Sequence, residues 1–229
     1  MGMLFDAGAI LFGGLLGGIC KKKVQIKSTA VFAIGIMLLS AVGLLENLLT
    51  VSDGKIIGEH TVVVVIALFF GTAIGDQLHL DERIYSLSKT KNVKINGLID
   101  SLLFFGIGGL QISGPMVYAL QGDSFQLIVK GVIDFPFALI LGATYGKTVS
   151  LSSIGVFAMQ VLIAVLTYFL GSFIGADLLC QLCSLGYVIL FFTGFNMICS
   201  LQNKVKNINM IPGMLLIIGY HIIREVFFS

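Results

Sequence analysis

The chain has no tryptophan, three prolines and three histidines, and charged residues fill only 11% of its 229 positions. Each shortage excludes something. Ordinary soluble domains carry about 25% charged residues, and a soluble fold of this size still needs polar cover for its surface. With 57% of residues apolar, that cover is missing. Without tryptophan, any aromatic belt at a membrane interface must come from tyrosine and phenylalanine. There is no G-x-x-x-x-G-K-[ST], so ATP hydrolysis is not encoded. There is also no H-E-x-x-H, and no Ser/His or Asp/Asp protease arrangement. His60, His79 and His221 fall near the ends of apolar segments, not in facing spans as a haem pair would. No enzyme activity, cofactor or resident metal is therefore expected. The net charge of +2 comes without a basic patch outside short loops, so no nucleic-acid partner is expected either.

What remains is apolar sequence in blocks. Eight segments stand out, at about 3–20, 28–50, 61–77, 97–120, 125–146, 150–173, 178–200 and 210–227. About 20 residues of helix cross about 30 Å of hydrocarbon, so most suffice. The third is marginal, and so is the eighth, with Pro212 and Arg224. The expected architecture is all-α: a polytopic membrane protein of eight helices in a single domain, residues 1–229. The polar stretch at about 78–96 is read as a loop with a turn of helix around DERIYSL. The first segment keeps its lysines after the apolar run, opposite to a cleavable signal peptide, and is read as a retained span.

Orientation follows from lysine and arginine placement. With the N-terminus outside, the inner loops hold Lys21, Lys22, Lys23, Lys27, Arg83, Lys89, Lys91, Lys94, Lys147, Lys204 and Lys206. The outer loops hold Lys55, with Arg224 near the C-terminus. Both termini are expected outside. Gly35/Gly43 in span two and Gly186/Gly194 in span seven share a spacing within similar apolar patterns. This suggests an inverted repeat, with repeat A at 1–96, a central helix pair at 97–147 and repeat B at 148–229, a frequent build of secondary transporters. Chance similarity between glycine-containing apolar helices is the competing reading.

Polar residues at membrane depth are the candidates for chemistry, since a central charge costs about 2.5–3.5 kcal/mol on insertion scales. Lys130 and Asp134 lie four apart, on one helix face. Asp134 falls near mid-membrane, with Lys130 about 6 Å nearer the outside. Pro136 disturbs the turn that contains Asp134. The pair could bind a substrate or shuttle a proton, or it could be a structural salt bridge. In span four, Gly106, Gly108, Gly109, Gly114 and Pro115 crowd together. A break around Gln111 to Gly114 is expected, with Ser113 or Gly114 as cap and Pro115 opening a second half-helix. Its free N–H groups could meet an anionic moiety; a packing kink is the alternative. Gln160 lies at matching depth in span six, as a binding group or as interhelical glue.

Asn196, Asp6, Glu46, Asp76 and Asp100 are secondary candidates, with solvated helix ends as the favoured reading of the four carboxylates. Gly13/Gly17, Gly14/Gly18 and Gly71/Gly75 are faces for close helix packing. Cys180 and Cys183 form a C-x-x-C with no second C-x-x-C and no nearby histidine. They are read as small apolar side chains one turn apart, against a disulfide or soft-metal site.

Several stretches together resemble a bacterial inner-membrane family of unknown function that includes YqgA and YdfK. They are GAILFGGLLGG (8–18), FGTAIGDQLHLDERIYSL (70–87), SLLFFGIGGLQISGPMVYALQGD (101–123), Lys130 with Asp134, the Gln160 region and TGFNMI (193–198). Members of that family typically have Asn where this chain has Asp6, Glu where it has Asp76, and G-x-L-Q-x-G near the end of span four, where this chain has Tyr118-Ala-Leu-Gln121-Gly122. The resemblance implies a transporter-like, multi-pass protein of the bacterial inner membrane, with no substrate to carry over. The reading is a small secondary transporter or permease for a small ion or polar solute, acting as a homo-oligomer in the lipid bilayer. The rival is a non-transporting membrane sensor or assembly protein.

Overall fold

The computed structural model describes residues 1–20, 29–52, 55–86, 93–106, 109–171, 174–199 and 204–228. Among them are ten helices: α1 (Gly2–Cys20), α2 (Thr29–Leu48), α3 (Thr61–Gln77), α4 (Leu80–Ser86), α5 (Val93–Gly106), α6 (Gly109–Gln121), α7 (Phe125–Tyr145), α8 (Ser152–Leu170), α9 (Ala176–Ile198) and α10 (Ile211–Phe228). Each of the eight apolar segments is mainly helical over its described residues. Unbroken helix pairs its own N–H and C=O groups, which hydrocarbon requires.

Among the described residues, five helical runs are long and apolar enough to cross a bilayer: Gly2–Cys20, Ala30–Leu48, Phe125–Tyr145, Lys147–Leu170 and Ala176–Ile198. A sixth arises if α5 and α6, which meet at 55°, form one broken span. The 17 residues of α3 give about 25 Å of helix, short of a full crossing. The count supported by length and composition is thus five or six, below the eight expected. The DERIYSL turn is the short helix α4.

One element departs from the all-helical expectation. Strands β1 (Thr50–Ser52) and β2 (Lys55–Ile57) pair antiparallel, with Ser52 opposite Lys55. Asp53-Gly54 lies between them, and such a dipeptide is a strong hairpin signal.

The contacts group into two units. One comprises Met1–Lys27 and Glu82–Ser172, the other Ser28–Asp81 and Phe173–Ser229. In the first, α1 and α7 run parallel. Gly2 meets Leu127, Gly13 meets Phe135 and Ala138, and Gly17 meets Leu139 and Ala143. Gly14 and Gly18 seat the same helix on Ser150 and Lys147 of a 3₁₀ turn, Lys147–Leu151. Two adjacent glycine stripes therefore serve two neighbours, as small-xxx-small faces do. Gly122 (φ 72°) and Gly146 (φ 90°) end α6 and α7 in a backbone region that favours glycine.

In the second unit, α2 and α9 run antiparallel, with Gly43 on Tyr187 and Gly194 on Ala33 and Met37. Helices α3 and α10 also run antiparallel, through Gly71 on Gly213 and Gly75 on Asn209.

The predicted position of the break in span four is corrected. Helix α6 starts at Gly109 and runs through Gln111, Ser113, Gly114 and Pro115. Helix α5 ends at Gly106, and residues 107–108 lie outside the described residues. Glycine costs a helix about 1 kcal/mol each, and Gly106, Gly108 and Gly109 bracket that point. Pro115 inside α6 only deprives the Gln111 carbonyl of its i+4 donor. Pro115→Ala should restore that bond and raise the unfolding temperature, with a stability gain of up to about 3 kcal/mol less the packing lost with the ring. A lower unfolding temperature in circular dichroism would put the proline at a helix start after all.

Candidate functional site: a buried charged cluster

The first unit brings four helices onto one polar cluster. Gly131 on α7 has no side chain, and a Cβ built there would lie 3.0 Å from the Asp6 Cα and 2.8 Å from a Phe5 ring carbon. That close approach sets Asp6 of α1 beside Lys130. The Lys130 ammonium donates to Asp6 Oδ2 at 2.9 Å and also to Asp134 Oδ2. From α8, Gln160 Nε2 donates to the same Asp6 oxygen at 2.6 Å and to Gln111 Oε1 of α6 at 3.1 Å. Gln111 Nε2 donates in turn to the Val156 carbonyl at 3.2 Å.

Burial is nearly complete. Asp6, Gln111 and Gln160 have no exposed surface, and Lys130 and Asp134 keep 5% and 6%. A carboxylate or ammonium this deep is tolerable only when paired. Here the pairing is unequal: two carboxylates share one ammonium. Asp6 Oδ1 and Gln160 Oε1 are buried without a hydrogen-bond partner. The Gln160 amide cannot turn to relieve this, because its NH₂ group faces two acceptors, Asp6 Oδ2 and Gln111 Oε1. An orphaned buried polar atom costs about 1–3 kcal/mol.

Of the predicted residues, Lys130, Asp134, Gln111 and Gln160 meet. Asp6, read as a solvated helix end, is fully buried at the centre of the cluster. Ser113 forms a separate buried pair, donating to Gln126 Oε1 at 2.9 Å. Gly114 lies inside α6 against Leu127, so it is neither a cap nor a source of free N–H groups.

The remaining candidates do not join. Asn196 clamps the Val205 backbone, donating at 2.7 Å and accepting at 2.8 Å. Asp76 accepts from Asn209 Nδ2 at 2.5 Å. Glu46 is exposed on α2, and Asp100 on α5 lies against Tyr145. Cys180 and Cys183, both on α9, are not joined in a disulfide. Residues 21–23 and 27, part of the basic inner set, lie outside the described residues.

Sequence reading missed a further polar cluster, in the second unit. Gln181 Nε2 lies 3.4 Å from His60 Nδ1, and His221 Nε2 lies 3.1 Å from Gln181 Oε1, all three buried. An open groove of about 540 Å³ runs between α1 and α7, lined by Leu4, Phe12, Val132, Phe135 and small neighbours. It is apolar and suits hydrocarbon.

Long apolar helices around a buried charged cluster define an integral membrane protein of several helical spans. The chain belongs to the family described as protein of unknown function (DUF554), which it matches over residues 1–222. It is 27% identical over 221 residues to the uncharacterized membrane protein YdfK of Bacillus subtilis (strain 168), covering 94% of this chain and 93% of the relative. It is 26% identical over 227 residues to the uncharacterized protein YqgA of Escherichia coli (strain K12), covering 94% of each. No solved structure matches it.

Proposed function

We propose that this protein is a small secondary transporter or permease for a small ion or polar solute, with Asp6, Lys130, Asp134, Gln111 and Gln160 as its polar site. One observation carries the reading: three charged side chains are sealed among long apolar helices, yet two acceptor oxygens beside them have no partner. A cluster kept only for folding gains nothing from orphaned oxygens. A site that receives a solute or ion needs groups left free to bind it.

A second reading, a non-transporting sensor or assembly protein, is favoured by the closed state of the same cluster. The two readings differ in whether water ever reaches it. Gln111→Cys, with the four native cysteines replaced, should react slowly with a small charged thiosulfonate reagent. Complete protection from both sides in folded protein would favour the second reading.

The proposal includes a homo-oligomer in the bacterial inner membrane, both termini outside, and an inverted relation between spans one to three and six to eight. A parallel α1/α7 pair and antiparallel α2/α9 and α3/α10 pairs suit a chain that alternates through eight crossings. Cysteines at positions 54 and 123 should react with impermeant reagents from outside, whereas those at 91 and 205 should not. The reverse pattern would invert the orientation.

A further inference from the structure

We propose that the Asp6–Lys130–Asp134 cluster holds one exchangeable proton, seated on Asp6 Oδ1 with Gln160 Oε1 as its acceptor. This deepens the permease reading and rests on it for its purpose, which is coupling solute movement to protons.

Charge and hydrogen-bond balance call for that proton. Two carboxylates and one ammonium sum to a single negative charge when all are ionised. The Lys130 ammonium donates to both carboxylates through their Oδ2 atoms. Asp6 Oδ2 receives a second donor from Gln160, at 2.6 Å, so all of the donation to Asp6 falls on one oxygen. Asp6 Oδ1 receives none, although its side chain has no exposed surface. The Gln160 amide repeats the pattern: its nitrogen is used twice and its oxygen not at all.

The missing component is therefore a donor carrying one positive charge. A proton on Asp6 Oδ1 supplies it and brings the cluster to neutrality. A carboxylic acid and a primary amide also pair naturally in two directions at once. The amide N–H already meets one carboxyl oxygen, and the acid O–H would meet the amide oxygen. Uptake forms an O–H bond on Asp6 and consumes one proton from the aqueous phase; release returns it.

The surrounding elements supply no competing charge. From α7 come Lys130 and Asp134, already counted. Helix α8 offers Gln160 and, eight residues on, the exposed Tyr168. The 3₁₀ turn offers Lys147, which lies against Gly18, about 18 Å along α1 from Asp6. On α1 itself the terminal amine sits at exposed Met1, and Cys20 is exposed at the far end. A divalent metal is a poorer fit. Among the described residues no three His, Cys, Asp or Glu side chains converge as such a metal would need.

The test is infrared difference spectroscopy of the purified full chain in lipid nanodiscs, between acidic and alkaline buffer. The expected result is a carbonyl-stretch band of a protonated carboxyl on acidification, with uptake of one proton per chain. Asp6→Asn should lose both while keeping its unfolding temperature, because an asparagine oxygen still accepts from Gln160. Asp134→Asn removes the excess negative charge and should lose the band too, whereas Gln160→Leu, which removes only the acceptor, should keep the band and move it to higher wavenumber. Loss of the band in Asp134→Asn but not in Asp6→Asn would move the proton and overturn the assignment. So would a wild type with no band at any pH, or a sodium-dependent rise in unfolding temperature that Asp6→Asn abolishes. A proton present without solute flux leaves this assignment standing and removes the permease reading. Flux without the proton does the opposite.

Discussion

Lys130→Met is expected to be the most damaging single substitution in the chain. It strands two buried carboxylates, Asp6 and Asp134, without their shared counter-charge. Removing one partner of a buried ion pair costs about 3–5 kcal/mol, and here two anions lose it together. Lys130→Met with Asp134→Leu leaves Asp6 without a counter-charge, so it too should lose stability wherever Asp6 is ionised. Only the triple change, adding Asp6→Asn, clears the charge from the cluster while preserving an acceptor for Gln160. Uncharged replacements of buried ion pairs are often neutral or stabilising, so the triple variant should unfold near the wild-type temperature. Thermal unfolding in detergent checks the series. A double variant as stable as the triple would mean that Asp6 is not part of the charge balance.

Gly17→Leu is expected to rival it, for a steric reason. A Cβ at position 17 would collide with the Leu139 carbonyl and the Ala143 amide nitrogen, which are backbone atoms of α7 that cannot rotate away. Overpacking usually costs about 1–3 kcal/mol and occasionally more, and this case belongs at the upper end. Forcing α1 off α7 also pulls Asp6 from Lys130, because Gly131 and Gly17 sit on one helix–helix seam. Gly8→Leu is the control. Gly8 has nothing within 4 Å of its Cβ position, so the variant's stability should stay within about 0.5 kcal/mol of wild type. Equal losses for the two variants would show that the α1/α7 contact at Gly17 does not set the cost.

The helices were legible because a bilayer demands long apolar runs with no polar period, and these are visible one residue at a time. Lys130 and Asp134 were legible for a similar reason, since an i, i+4 relation is written locally. Their third partner was not. Asp6 is 124 positions from Lys130, and its place near a helix end suggests water rather than burial. The available signal was Gly131, a residue without a side chain next to the lysine, which permits another backbone to approach.

The break in span four shows the opposite error. The glycines at 106, 108 and 109 and Pro115 all weaken a helix, but the three glycines cluster at one point, whereas Pro115 removes a single donor that a continuing helix tolerates. The hairpin at Thr50–Ile57 was readable from Asp53-Gly54, but its strands are too short to show alternation. The His60–Gln181–His221 cluster joins three separate helices and leaves no local trace.

The most direct measurement is solute permeability of proteoliposomes followed by stopped-flow light scattering, under gradients of sodium chloride, potassium chloride, ammonium chloride and urea. The account predicts that wild-type protein speeds volume recovery for at least one of these over protein-free vesicles. It also predicts that the stable triple variant, Asp6→Asn with Lys130→Met and Asp134→Leu, returns that rate to the protein-free value. Wild-type vesicles indistinguishable from empty ones, or a triple variant as permeable as wild type, would contradict it.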